Sequence, residues 1–184
     1  MTLTKEDRIT LYKQFMPIQY GSTHFVEKLD KLGFFTAPSS TKYHGSYEGG
    51  LFDHSYAVAE QLVQYTSLLG LVWQDDRSPY IVGMLHDICK CGQYEKDGDK
   101  YTYVSPLWIP GHGERSVIEL QRLIRLTDEE IACIRWHMGA FDDKELWKSY
   151  TLAVKLYPNV LRIRRTCTRP ISWGSDHGRR GQGH

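Results

Sequence analysis

Six side chains in this sequence are of types and at spacings that could do metal or acid–base chemistry: His54, His86, Asp87, Lys90, His112 and His137. Three of them fall within the stretch "GMLHDICKCGQ", residues 83–93, where an imidazole, a carboxylate and an ammonium follow an apolar run. Packing alone does not ask for such groups, because burying them unpaired costs several kcal/mol. Either they face water or the fold gives them partners. Imidazole and carboxylate groups drawn from separate helices are how helical bundles build metal sites. A nitrogen and oxygen donor set without thiolate suits manganese, iron, magnesium, nickel or cobalt, with zinc also possible.

The elements that must position these groups follow from periodicity and caps. Thr4 with Asp7 starts a first helix that ends before Pro17, and a second short helix runs from about Ser22 to Gly33. Residues 34–50 are loop, by their Pro, Ser and Gly content. From Gly50 to Leu69, His54, Ala57, Val58, Gln61, Leu62, Tyr65 and Leu69 form one helical stripe, which puts His54 on an inward face. Asp75, Asp76 and Ser78 before Pro79 start a helix that is expected to run through "YIVGMLHDICK" to near Gly92. On such a helix His86 and Lys90, at i and i+4, share a face, and Asp87 reaches the same edge.

Asp97–Gly98 between tyrosine-rich arms signals a β-hairpin. A helix is expected from about Gly111 through "ERSVIELQRLI", with His112 at its glycine-flanked start. Thr127 and Glu130 make a capping box for the next helix, "DEEIACIRWHM", which places His137 in its last turn before Gly139. A last helix is expected over about 142–156. The fold class expected is all-α, one helical domain over 1–161 with a small β-hairpin inserted.

Each histidine also has an ordinary reading. A lone histidine on an apolar face is usually hydrogen-bonded to a backbone carbonyl. His137 could complement the negative end of its helix. Their combination favours a site. Its candidate metal ligands are His54, His86, Asp87, His112 and His137, holding one or two divalent ions. Asp87 and Lys90 are the catalytic candidates, and Lys90, His44 and Arg115 the substrate-binding ones. His44 sits in a glycine-flanked loop that could line a cleft.

Composition excludes several classes. The net charge of +1 gives no global reason for a nucleic-acid or membrane partner. The four cysteines, Cys89, Cys91, Cys133 and Cys167, have no zinc-ribbon or CxxC spacing and read as reduced thiols of a cytoplasmic protein. The N-terminus is polar, without signal-peptide character, and no apolar run is long enough to span a bilayer. The charge is uneven: residues 162–184 hold six arginines against one aspartate, a local +5, so residues 1–161 carry −4. Such a run is ordinarily a solvated tail, and no dedicated nucleic-acid-binding module is evident.

The order of these motifs resembles the HD-domain superfamily of metal-dependent phosphohydrolases over roughly residues 35–157. The likeness rests on "YHGSYEGGLFDHSYAVAEQL", "GMLHDICK" with the His-Asp doublet, "PGHGERSVIELQRLI" and "DEEIACIRWHM". It is greatest to small stand-alone bacterial and phage members.

The resemblance implies that His54, His86 and Asp87 hold one metal, and that His112 and His137 hold a second bridged by Asp87. It also implies Lys90 on a non-bridging phosphoryl oxygen, with in-line hydrolysis of a phosphomonoester or phosphodiester of a nucleotide or nucleic-acid end. Family members complete the site with a later aspartate, whereas this chain has none between Asp143 and Asp176. The alternative reading is therefore a catalytically impaired HD domain that binds a nucleotide or a protein. A di-iron oxygenase on the same fold is a third reading, which Lys90 disfavours.

The arginine-rich tail is also compatible with a shifted reading frame from about Arg162. If its arginines use CGN codons, the other frame permits His-Thr-Ala-Asp, the family motif, at that point. A tail read in that way is expected to pack poorly.

Overall fold

The computed structural model describes residues 3–42, 45–98, 100–104, 111–139 and 146–167. Helix α1, Lys5–Phe15, begins at the capping box of Thr4 and Asp7 and stops at Met16, ahead of Pro17. Helix α2, Thr23–Leu32, ends on Gly33 in the left-handed conformation, which glycine adopts without a Cβ penalty. Helix α3 spans Gly50–Leu69, as its stripe predicts, although Leu69 itself is exposed. Its N-cap, Gly49, is left-handed and lies flat against the Arg8 guanidinium, where a side chain would collide.

Helix α4, Ser78–Leu85, departs from expectation by ending before the His-Asp doublet. Asp87 takes φ −108° and ψ 17°, the bridge region between helix and strand, and a short 3-10 turn, Ile88–Lys90, follows. His86 and Lys90 are therefore not i, i+4 neighbours on one helix. The break turns the chain so that Lys90 comes back onto Asp87.

The hairpin forms as the Asp97–Gly98 signal predicts. Strand β1, Tyr94–Asp97, pairs antiparallel with β2, Lys100–Tyr103, placing Tyr94 opposite Tyr103 and Lys96 opposite Tyr101. Gly98 at the bend has φ +60°. A backbone hydrogen bond from Val104 N–H to the Gln93 carbonyl anchors the hairpin beside the 3-10 turn.

Helix α5, His112–Gln121, and α6, Asp128–Arg135, come next, the latter with the expected Thr127/Glu130 capping box. Helix α6 ends at Trp136, so His137 follows the helix instead of closing its last turn. Helix α7 is described over Trp147–Leu156, and residues 142–145 of the expected last helix lie outside the described residues. Helix α8, Val160–Cys167, lies beyond the last helix expected from the sequence. The change of character expected at Arg162 falls inside it, and Val160, Ile163 and Thr166 are all buried. The reason is spacing: these three recur at i, i+3 and i+6, a usable apolar stripe between the arginines. Residues 168–184 lie outside the described residues.

The described chain is thus mostly helical with one small hairpin, an all-α class with a β insertion. No described helix is long and apolar enough to cross a membrane.

Helix α3 lies along α4, α5 packs on both α6 and the 3-10 turn, and α8 closes against α3 and α6. One core joins Tyr12, Phe34, Phe35 and Phe52, packed edge-on or tilted, to Leu51, Val58, Leu62, Ile81, Met84, Leu85 and Ile134. Each such large side chain contributes about 1.5–3 kcal/mol on burial. The polar joints are paired. Arg77 donates to both Glu130 oxygens, and Asn159 donates to Glu129 and to the Val72 carbonyl. These contacts tie α4, α6 and α8 into one frame around the His-Asp doublet.

Candidate metal and phosphate site

Asp87 is the centre of the cluster. Its buried carboxylate has His54 Nε2 at 3.7 Å, His86 Nε2 at 3.5 Å, His137 Nε2 at 3.4 Å and Lys90 Nζ at 2.8 Å. The Nε2 atoms of His54 and His86 lie 3.3 Å apart. Four separate segments meet here: α3, the end of α4, the 3-10 turn and the second residue past α6.

Local backbone geometry aims two of the rings. His86 donates Nδ1–H to the Gly83 carbonyl at 2.8 Å, and His137 donates Nδ1–H to the Ile134 carbonyl at 2.7 Å. Both carbonyls stand three residues upstream, at helix ends where they lack a complete set of intrahelical partners. With Nδ1 protonated, the neutral imidazole offers its Nε2 lone pair to the centre. Ligating histidines are oriented in this way by a carbonyl on the far nitrogen.

The electrostatics favour neutral rings around an ionised carboxylate. Burial, then the neighbouring His86, pushes His54 down to about 3. Burial likewise lowers His86, and it lowers His112. For Asp87 burial acts upward, but the Lys90 ammonium, His86 and the His137 hydrogen bond outweigh it and hold the carboxyl well below the usual range. Burial acts downward on Lys90, and the Asp87 carboxylate reverses it, so the ammonium is held.

His54, His86 and Asp87 could hold a metal ion, since one donor atom of each lies within 4.8 Å of the others. Spacings of 3.3–3.7 Å between these donors suit atoms sharing one ion at bonds of about 2.0–2.1 Å. His137 completes the ring of nitrogens on the other carboxylate oxygen. His112 stands farther out: its Nδ1 meets the Cys89 thiol at 3.8 Å, and it has no ion-pair contact with Asp87 among the described residues. Arg115 is one turn along α5 from His112 and hydrogen-bonds Tyr103 Oη at 3.4 Å. His44 lies outside the described residues.

Exposure shows where the cluster opens. The side chains of His54 and Lys90 keep 20% and 16% of their surface, against 0–5% for His86, Asp87 and His137. A molecule entering from solvent on this side would meet His54 and Lys90 before the buried members of the cluster.

Several contributors escaped sequence reasoning. Arg8 makes a buried two-point ion pair with Asp53, Nε–Oδ1 2.9 Å and Nη2–Oδ2 3.3 Å, and Tyr47 donates to the same carboxylate. That pair fixes the start of α3 one residue before His54. Gly83 allows α4 to close on α3, because a Cβ there would strike Ala59. Helix α8 brings Cys167 to the site side: burial pushes its thiol well up, and the Asp87 charge adds to this. Arg165, the position that the shifted frame would make aspartate, is exposed. Only the glycine had a sequence signal, since a glycine inside an apolar helix marks a close approach.

No family model, curated protein or solved structure matches this chain. Fold and geometry by themselves define its class: a mostly helical protein with a buried three-histidine, aspartate and lysine cluster open on one side.

Proposed function

We propose that this chain is an HD-domain metal-dependent phosphohydrolase that cleaves a phosphomonoester or phosphodiester of a nucleotide or nucleic-acid end. The observation that carries the reading is the convergence of three imidazole Nε2 atoms and one ammonium on the Asp87 carboxylate. A purely structural ion pair would need one partner, not four.

His54, His86, Asp87 and His137 would hold a divalent cation: manganese, iron, magnesium, nickel, cobalt or zinc. When bound, such an ion supplies Lewis acidity and lowers the pKa of a coordinated water. The chain does the rest. The Gly83 and Ile134 carbonyls keep His86 and His137 in the donor tautomer. Asp87 stays ionised at any pH near neutrality. Lys90, at the open edge, turns its ammonium from Asp87 toward a phosphoryl oxygen, where charge develops as the bond to the leaving group breaks. His112, held off the carboxylate, belongs to a second ion position or to the phosphate.

A second reading is a catalytically impaired HD domain that binds a nucleotide or protein without turnover. It is favoured by α8, which among its described residues presents Cys167 and no carboxylate toward the site.

Assays of a phosphodiester and of a nucleotide panel with each metal, run beside metal analysis of the purified chain, test the proposal. Metal bound at Asp87 with turnover supports it. Metal with no turnover supports the second reading, and no metal uptake overturns the first.

A further inference from the structure

The open side of the cluster is bordered by residues outside the His54, His86, Asp87 and His137 set. They form a closed circuit. Lys90 lies within electrostatic reach of Tyr94, whose phenol is raised first by burial and then lowered in part by that ammonium. Tyr94 meets Tyr103 across the hairpin edge-on, ring centroids 5.7 Å apart. Tyr103 Oη accepts from Arg115 at 3.4 Å. Arg115 shares a face of α5 with His112, which returns to Cys89, next to Lys90. Lys90 thus stands by Tyr94 and Arg115 by Tyr103, beside the Asp87 cluster.

We propose that the β1–β2 hairpin is the wall of a nucleobase subsite, with a phosphate ester's anionic group between Lys90 and Arg115 and its planar base against Tyr94 and Tyr103. The inference rests on reading the Asp87 cluster as a phosphate-ester site and adds what such an ester must carry.

Three features separate this wall from an ordinary hairpin. Cross-strand tyrosine pairs stabilise hairpins by themselves, but Tyr103 keeps 43% of its surface exposed, so packing against Tyr94 leaves much of it unused. Arg115 Nε is buried without a hydrogen-bond partner among the described residues, a donor with capacity left over. Such orphaned donors are uncommon and need a reason. The hairpin is also tied to the cluster, since Gln93 binds back to the Lys90 and Cys89 carbonyls immediately before β1. Its inner face continues through Lys96 and Tyr101, which pair opposite one another one step outward. Aromatic rings interleaved with cations are how proteins hold bases and backbone without reading sequence.

The test is equilibrium binding by calorimetry, using the full chain in chelator so that no turnover occurs. Adenosine 5′-monophosphate is compared with ribose 5-phosphate, which lacks the base. The wild type is expected to prefer the nucleotide by at least about fivefold, the lower end of what one stacked base contributes. Tyr103→Ala should remove the preference. Tyr103→Phe, which keeps the ring and loses the Arg115 bond, should retain it. Arg115→Ala should weaken both ligands alike.

Absence of saturable nucleotide binding, equal affinity of the wild type for both ligands, or an unchanged ratio in Tyr103→Ala overturns the subsite. The hydrolysis assays are read separately. Base preference without turnover in any metal sinks the phosphohydrolase reading and leaves the subsite standing.

Discussion

Gly83 of α4 faces Ala59 of α3 so closely that a Cβ built on Gly83 would lie 2.8 Å from the Ala59 Cβ and nearer still to its Cα. This approach sets the distance between α3, which carries His54, and α4, whose C-cap is His86. The same glycine supplies the carbonyl that orients His86. One residue therefore serves both the packing and the aim of the site.

Gly83→Ala is expected to destabilise the chain even though alanine is the better helix former. The helix gain is about 0.5–1 kcal/mol. Overpacking against backbone that cannot yield costs about 1–3 kcal/mol. A lowered urea midpoint with an unchanged slope is the expected outcome; an unchanged or raised midpoint would show that α3 and α4 can part freely.

Asp87→Ala should abolish hydrolysis and lower metal content, whereas Lys90→Ala should lower turnover with metal retained. Loss of one group that contacts charge developing in a transition state costs on the order of 2–4 kcal/mol in barrier. Metal analysis beside single-turnover rates separates the two roles. Full activity in the Asp87 variant would remove it from the mechanism.

Removing Arg8 strands the Asp53 carboxylate, which is 7% exposed. Breaking a buried ion pair from one side costs about 3–5 kcal/mol. Arg8→Met should show that loss in equilibrium unfolding. Arg8→Met with Asp53→Leu should cost less than the two single losses added, since neither charge is then left alone. Additive losses would mean that the pair contributes no coupling.

The metal-free chain should lose stability on mild acidification. His54 is held at about 3 when folded, against 6.5 for the free side chain, so below pH 6.5 the unfolded chain binds a proton that the folded chain refuses. His86 is shifted in the same direction. Stability is full above pH 6.5 and falls as pH drops toward 3, by up to about 1.4 kcal/mol per pH unit for each proton. Asp87, lowered when folded, adds a loss only below the ordinary carboxylate range. Urea midpoints at several pH values in chelator check this; a flat profile between pH 7 and 5 would contradict it.

Much of this was legible in the sequence because it is local. The capping boxes of Thr4 and Thr127, the stripe around His54 and the Asp97–Gly98 bend are short-range patterns whose partners lie within a few residues. The inward side of His54 followed from periodicity, and the candidate site residues from their types. The end of α4 was not legible. Nothing in "MLHDICK" forbids a continuous helix; the turn at Asp87 accompanies contacts from Lys90 and His137 that only the folded chain provides.

By itself, then, the sequence determined most of the helical segments, though not α8 or the end of α4, where the hairpin bends and which residues have chemistry to offer, since propensity, caps and period act within a few residues. Tertiary structure decided the rest. It placed His54, His86 and His137 on one carboxylate, left His112 beside Cys89, paired Arg8 with Asp53 and drew α8 across the site. These are contacts between groups up to dozens of residues apart. Their geometry depends on how closely α3 and α4 approach, and that distance is set by the missing side chain of Gly83 against Ala59.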